Sequence, residues 1–224
     1  MKLAVLFSGG KDSMLALMKA GKHHEISCLI TMLSGNPESY MFHTPNIHLT
    51  EMQADSLGIP LVRQKTKGNK EKELDDLEIA IKKAVADYHI KGVVTGAIKS
   101  TYQASRVQRI CDKLGLWCFN PLWLMNQEEL LNEVLDSKIK AIISGVAGYP
   151  LTKEFLGKEI DREMVKKLIS LKRFINPAGE GGELETSVLD CPLFKKRIRV
   201  VDATVHYENF AGIYFVKKAE AEEK

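Results

Sequence analysis

Ser8-Gly9-Gly10-Lys11-Asp12-Ser13 puts two adjacent glycines, a lysine and three oxygen-bearing side chains into six residues. Glycine lets a backbone approach a ligand closely and turn its N–H groups outward. The run that follows reads as a helix, whose N-terminus adds partial positive charge, so the segment suits a phosphate-like anion. It is not a Walker A loop, which would require glycine at Val5, and not G-x-G-x-x-G, because its glycines are adjacent. The plainer account is a glycine turn with Asp12 or Ser13 capping a helix. A second set runs Gly96-Ala97-Ile98-Lys99-Ser100-Thr101-Tyr102-Gln103-Ala104-Ser105-Arg106. Tyr102 and Arg106 are four apart and share a helical face, and the arginine fork can clamp a phosphate or carboxylate. Solvated surface is the ordinary use of such an arginine. A third set, Gly179-Glu180-Gly181-Gly182-Glu183-Leu184-Glu185-Thr186, combines three glycines with three carboxylates in six residues. Their repulsion calls for a cation or an amine, unless the segment is a solvated acidic turn.

These sets need a scaffold that carries them to one place. Residues 3–7 read as a buried strand and 11–20 as a helix stopped at Gly21. Strands at 26–32, 61–64, 92–96 and 116–119 then alternate with helices at 46–57, 71–88 and 101–114. Strict alternation predicts an α/β fold, a doubly wound, Rossmann-like parallel sheet of five strands with right-handed crossovers. Its carboxyl edge, where such sheets bind ligands, carries both the 8–13 loop and the 96–106 segment. Beyond Pro121 the alternation loosens. Residues 127–135 and 161–171 read as helices, 141–143 as a strand, and 197–216 as two antiparallel strands around Asn209. The charged tail from Lys217 is expected to fray. The boundary falls near residue 122, giving a phosphate-loop domain over 1–122 and a smaller α+β substrate domain over 123–224 that carries the acidic loop.

Over 224 residues, 45% hydrophobic and 27% charged content supports a buried core and argues against disorder. A net charge of +3 is small for a chain that lives on nucleic-acid phosphates, so no direct nucleic-acid partner is expected. Cys28, Cys111, Cys118 and Cys191 lie far apart without C-x-x-C, which disfavours a zinc knuckle or a disulfide scaffold and fits a reducing cytoplasm. Five apolar residues follow Lys2, too few for a signal peptide or a membrane span. His48, His89 and His206 lack metal-ligand spacing, and His23-His24 sit where imidazoles complement a helix dipole. No metal ligand set is legible.

In its strand–loop–helix setting, SGGKDS resembles the PP-loop of the ATP pyrophosphatase superfamily, whose members split ATP into AMP and pyrophosphate. The resemblance implies that Ser8, Gly9, Gly10, Asp12 and Ser13 contact phosphates, that Lys11 neutralises them and that magnesium accompanies ATP. Three further runs follow in order: Tyr40-Met41-Phe42-His43-Thr44, GAIKSTYQASRVQRICDKLGL at 96–116 and GEGGELETSVLDCP at 179–192. Together, from the first residues to about Pro192, the chain resembles the diphthine–ammonia ligase family, in its short archaeal form. That implies an ATP-dependent ligase that amidates the diphthine carboxyl on translation elongation factor 2 through an acyl-adenylate. Free ammonium is the implied nitrogen source, with AMP and pyrophosphate released.

The same resemblance implies a nucleotide site built from the PP-loop with His43, Gly96, Ser100, Tyr102, Gln103 and Arg106. It implies an acceptor site from Glu180, Gly181, Gly182, Glu183, Glu185 and Thr186, and catalysis by Lys11, Asp12, Glu183 and Glu185. One glutamate would attract ammonium and take its proton. Alternatively, the glutamates would face the quaternary ammonium of diphthine, helped by an aromatic such as Tyr102. The residues leave these roles open, and they admit a homo-oligomer. Rival readings are a ligase for another carboxylate, as in cobalamin salvage; a transfer-RNA sulfurtransferase, which needs a persulfide cysteine; and a nucleotide-binding module without turnover.

Overall fold

A computed structural model describes residues 1–36, 45–69 and 71–224. The Tyr40–Thr44 run with His43 lies outside the described residues. β1 (Lys2–Leu6) buries Leu3, Ala4 and Val5 completely, as a central strand covered on both faces must. On one face, α1 (Lys11–Gly21) packs Met14, Leu15 and Leu17, and α2 (Leu49–Leu57) packs Ala54 and Leu57. The other face is covered by α3 (Lys72–Tyr88) and α4 (Thr101–Leu114) through Leu77, Ala80, Ile81, Val107 and Ile110. With β2 (Glu25–Ser34), β3 (Leu61–Thr66), β4 (Gly92–Val94) and β5 (Trp117–Phe119), the described strands form one parallel sheet of order β3-β2-β1-β4-β5. The expected doubly wound α/β fold is present. Strand order reverses between β1 and β4, so the loops that leave these two strands lie side by side at the switch point.

The remaining elements are α5 (Gln127–Asp136), β6 (Lys140–Ala147), α6 (Arg162–Ser170), β7 (Leu184–Asp190), β8 (Lys196–Glu208) and β9 (Ala211–Glu223). β6 to β9 make an antiparallel sheet of order β7-β6-β9-β8. Leu130, Leu131, Val134, Ile143, Val188 and Phe194 share one core cluster with Leu3, Val5, Met14 and Leu17. The second sheet therefore closes over the α1–α2 face of the first through common apolar contacts. Close packing of this kind holds the two sheets in a fixed relation to each other.

The tail departs from expectation. It does not fray at Lys217: β9 continues to Glu223, paired in register with Lys196. Alternating charge on the two long strands explains it. Arg197 meets Glu222 at 2.9 Å, Arg199 meets Glu220 at 2.8 Å and Lys196 meets Glu223 at 2.7 Å. Each exposed pair contributes only about 0–1 kcal/mol, but the backbone ladder holds the strand and opposite charges set its register. Lys224 then caps it, donating to the Cys191 carbonyl at 2.6 Å.

Candidate functional site

Gly9 stands at φ +78°, a conformation glycine adopts at no steric cost, and a Cβ there would fall 2.3 Å from Gln53 Oε1. α1 then starts on Gly10, an N-cap with no side chain of its own to cap the helix. The Ser13 hydroxyl instead donates to the Gly10 carbonyl at 3.0 Å, and Ser8 donates to the Ser13 hydroxyl at 3.3 Å. The helix end thus keeps the character of an anion cradle.

β7, the edge strand of the second sheet, lies directly on this loop. The Val188 N–H donates to the Gly9 carbonyl at 2.9 Å, and the Lys11 N–H donates to the Thr186 hydroxyl at 3.1 Å. A Cβ on Gly10 would meet the Thr186 carbonyl at 3.2 Å, so glycine permits the approach. Gln53 on α2 locks the two together. Its side-chain amide donates to the Gly9 carbonyl at 2.9 Å and to the Val188 carbonyl at 2.8 Å, and the residue is 1% exposed. Nothing in the sequence marks Gln53, because its role depends on two segments remote from it.

Lys11 is 2% exposed, and its ammonium donates to the Ala178 carbonyl at 2.6 Å and to Asp12 Oδ2 at 3.0 Å. The other Asp12 oxygen is buried without a hydrogen-bond partner among the described residues. An orphaned carboxylate oxygen beside a glycine cradle is suited to one point of attachment for a hydrated cation carried in on phosphates. Gly96, after β4, completes the floor. A Cβ there would lie 3.0 Å from the Asp12 carbonyl carbon and the Ser13 nitrogen. Gly96→Ala is therefore expected to push the start of α1 aside. It should cost roughly 1–3 kcal/mol in a urea unfolding curve and raise the KM for ATP.

The three glutamates occupy different posts. Glu183 is spent on its own loop: Oε1 accepts from the Asn176 N–H at 3.1 Å and the Asn176 amide at 2.6 Å, and Oε2 accepts from the Gly181 N–H at 2.8 Å. Glu180 reaches across to the start of α4, where Oε1 accepts from the Lys99 N–H at 2.7 Å and the Ser100 N–H at 3.0 Å. Burial raises its pKa, making it a weaker acid, and those amide donors pull it back. Glu185 pairs with Gly145 across β6–β7, where a Cβ at 145 would sit 3.0 Å from the Glu185 Cβ. Its carboxylate has no hydrogen-bond partner among the described residues. Burial pushes it up to about 7, with Lys11 pulling it down and Asp12 pushing it further up. A carboxyl that titrates near neutrality beside a phosphate cradle can accept a proton at working pH.

Ser100 caps α4, its hydroxyl accepting from the Gln103 N–H at 3.3 Å. Tyr102 and Arg106 do share a face, with the guanidinium 3.4 Å from the ring centroid. Arg106 is also ion-paired with Glu71, which places it as a brace between α4 and the start of α3. The structure thus brings together the 8–13 loop, Gly96, Glu180, Glu185 and Thr186, and holds Arg106 on Glu71. Ala178, whose carbonyl binds Lys11, carries no sequence signal because it contributes only backbone.

A family model described as the diphthamide synthase N-terminal domain matches residues 1–118, and one described as the diphthamide synthase C-terminal domain matches residues 126–221. The chain is 38% identical over 97% of its length to a diphthine–ammonia ligase of Schizosaccharomyces pombe, of which it spans 39%. It is 37% identical over 91% of its length to that of Mus musculus and 36% identical over 91% to that of Homo sapiens, spanning 84% of each.

Proposed function

Because the chain belongs to the diphthamide synthase family, we propose that it amidates the carboxyl of diphthine on translation elongation factor 2, using ATP and ammonium and releasing AMP and pyrophosphate. The observation that carries this reading is the seating of the 184–190 strand on the PP-loop through Thr186 and Val188. It sets Glu185 within the electrostatic reach of Lys11 and Asp12.

A carboxylate resists ammonia because its leaving group would be an oxide. An acceptor carboxylate oxygen attacks the α-phosphorus of ATP, and the bond to pyrophosphate breaks. Ammonia then attacks the acyl carbon, and AMP departs with the electron pair of the C–O bond. The cradle of Gly9, Gly10 and the α1 N-terminus, with Lys11, stabilises the departing pyrophosphate. Glu185 takes the proton that ammonium must lose before it can attack. Glu183 keeps the acidic loop folded, and Glu180 ties that loop to α4.

Magnesium belongs to the proposal. Asp12 would hold it by a single oxygen, in keeping with an ion that retains its waters and rides on phosphates. The division at residue 122 also belongs to it, supported by the separate sheets on either side. The sulfurtransferase reading is disfavoured by the family match; burial pushes the Cys28 and Cys191 thiols up, whereas hydrogen bonding with Cys111 holds Cys118 down, so thiol acidity alone does not decide it. No helix among the described residues is long and apolar enough to cross a membrane.

Incubation with ATP, ammonium and diphthine-bearing elongation factor 2 is expected to yield AMP, pyrophosphate and amidated protein in equal amounts. ADP as the nucleotide product rejects the mechanism.

A further inference from the structure

Gln53 is an unfavourable residue to bury. It is 1% exposed, and its Oε1 has no hydrogen-bond partner among the described residues. An amide oxygen in that position loses the water it had outside and gains no donor in return. Methionine would fill the same length on α2 without that loss. What methionine lacks is a pair of donors, and Gln53 gives both of its own to backbone. Its Nε2 donates to the Gly9 carbonyl at 2.9 Å and to the Val188 carbonyl at 2.8 Å. Turned over, the amide would set its oxygen against those two carbonyls, so its orientation is fixed.

The Gly9 carbonyl is therefore held twice, by Gln53 and by the Val188 N–H at 2.9 Å. The Gly9–Gly10 peptide is trans, so its carbonyl and its N–H point in opposite directions. Drawing the Gly9 oxygen toward α2 and β7 turns the Gly10 N–H the other way, where it faces the Ser8 hydroxyl at 3.4 Å. That distance is long for a hydrogen bond, which leaves the donor free for a stronger acceptor. The next amide along is already engaged, since the Lys11 N–H donates to the Thr186 hydroxyl at 3.1 Å. The direction of the Gly10 N–H thus matters to the loop as a phosphate receptor, and it is set from behind.

We propose that Gln53 is a positioning residue for phosphate capture: by holding the Gly9 carbonyl on the α2–β7 side, it aims the Gly10 N–H at the departing pyrophosphate. The role deepens the reaction assigned above and rests on its nucleotide half alone. Gln53 itself is buried and acts through the peptide it orients. Because the same amide grips Val188, the aim of the loop is kept in step with the strand that carries Glu185.

Gln53→Met keeps the length and apolar contact of the side chain and removes both donors. In calorimetric titrations of the full chain, inorganic pyrophosphate is expected to bind this variant roughly 5- to 30-fold more weakly than the native protein, the effect of misaiming one donor to a charged group. AMP, which lacks the phosphates that leave, should bind as before. Native affinity for pyrophosphate in the folded variant overturns the role and reduces Gln53 to packing. An equal loss for AMP and pyrophosphate also overturns it, because the whole site has then slackened. A measurement on the native chain guards against a variant that does not fold: the Gly10 amide resonance is expected to shift on saturation with pyrophosphate, and a resonance that stays in place overturns the role without any substitution. A native chain that binds no pyrophosphate overturns it together with the phosphate assignment of the loop. Pyrophosphate binding that depends on Gln53, in a protein that fails to amidate the elongation factor, upholds the role and rejects the reaction assignment alone.

Discussion

Glu185→Gln is expected to lower amidation turnover by roughly 10²–10⁴-fold, the range set by loss of a positioned general base. Glutamine keeps the size of the side chain and its seat on Gly145, so ATP binding should persist. In the native protein, turnover should rise as pH passes through about 7, where Glu185 gives up its proton. The fraction of neutral ammonia also rises with pH, so the variant should retain that slope and lose only the bend near 7. The same group makes a second, opposite statement about stability. Its carboxyl titrates at about 7 when folded, against 4.5 as the ordinary value, so the folded chain holds the proton more tightly. That stabilisation is complete below 4.5 and is lost as pH rises through 7, on the order of 3 kcal/mol. Glu185→Gln should therefore be more stable than the native protein at pH 8 while being nearly inactive. Undiminished turnover in a folded Glu185→Gln protein would remove Glu185 from the chemistry.

Lys11→Met is expected to reduce pyrophosphate release by roughly 10²–10³-fold at saturating ATP, since the departing charge loses its nearest buried cation. The variant also leaves the Ala178 carbonyl and an Asp12 oxygen without their donor, for a loss of roughly 1–3 kcal/mol in urea unfolding. Arginine should not rescue it, because a planar fork does not fit a 2%-exposed slot shaped for an ammonium. Lys11→Met,Asp12→Asn should recover part of the stability and none of the turnover, which separates the structural tie from the catalytic charge. Pyrophosphate release within a few-fold of native in Lys11→Met would show that the cradle works through its backbone alone.

Much of this was legible from local pattern. Leu3 to Val5 formed a fully buried strand because a continuous apolar run has no solvated face to offer. Gly58 and Gly115, at φ 68° and 66°, stopped α2 and α4 because few other residues accept that conformation. The Tyr102–Arg106 pair met because residues four apart on a helix always do. The tail was misread because its charges suggested solvation, whereas their partners stood more than twenty residues away on β8.

By itself, then, the chain determined its alternating elements and the switch-point position of the 8–13 loop, since each depends on residues close together in sequence. Only the tertiary structure decided how three similar glutamates divide their work. Glu183 was claimed by Asn176 and Gly181 and Glu180 by the α4 amides, while Glu185, within the field of Lys11 and Asp12, accepts a hydrogen bond from no described residue. Burial and field at a carboxylate are set by whatever packs around it, and most of what surrounds Glu185 lies far from it along the chain.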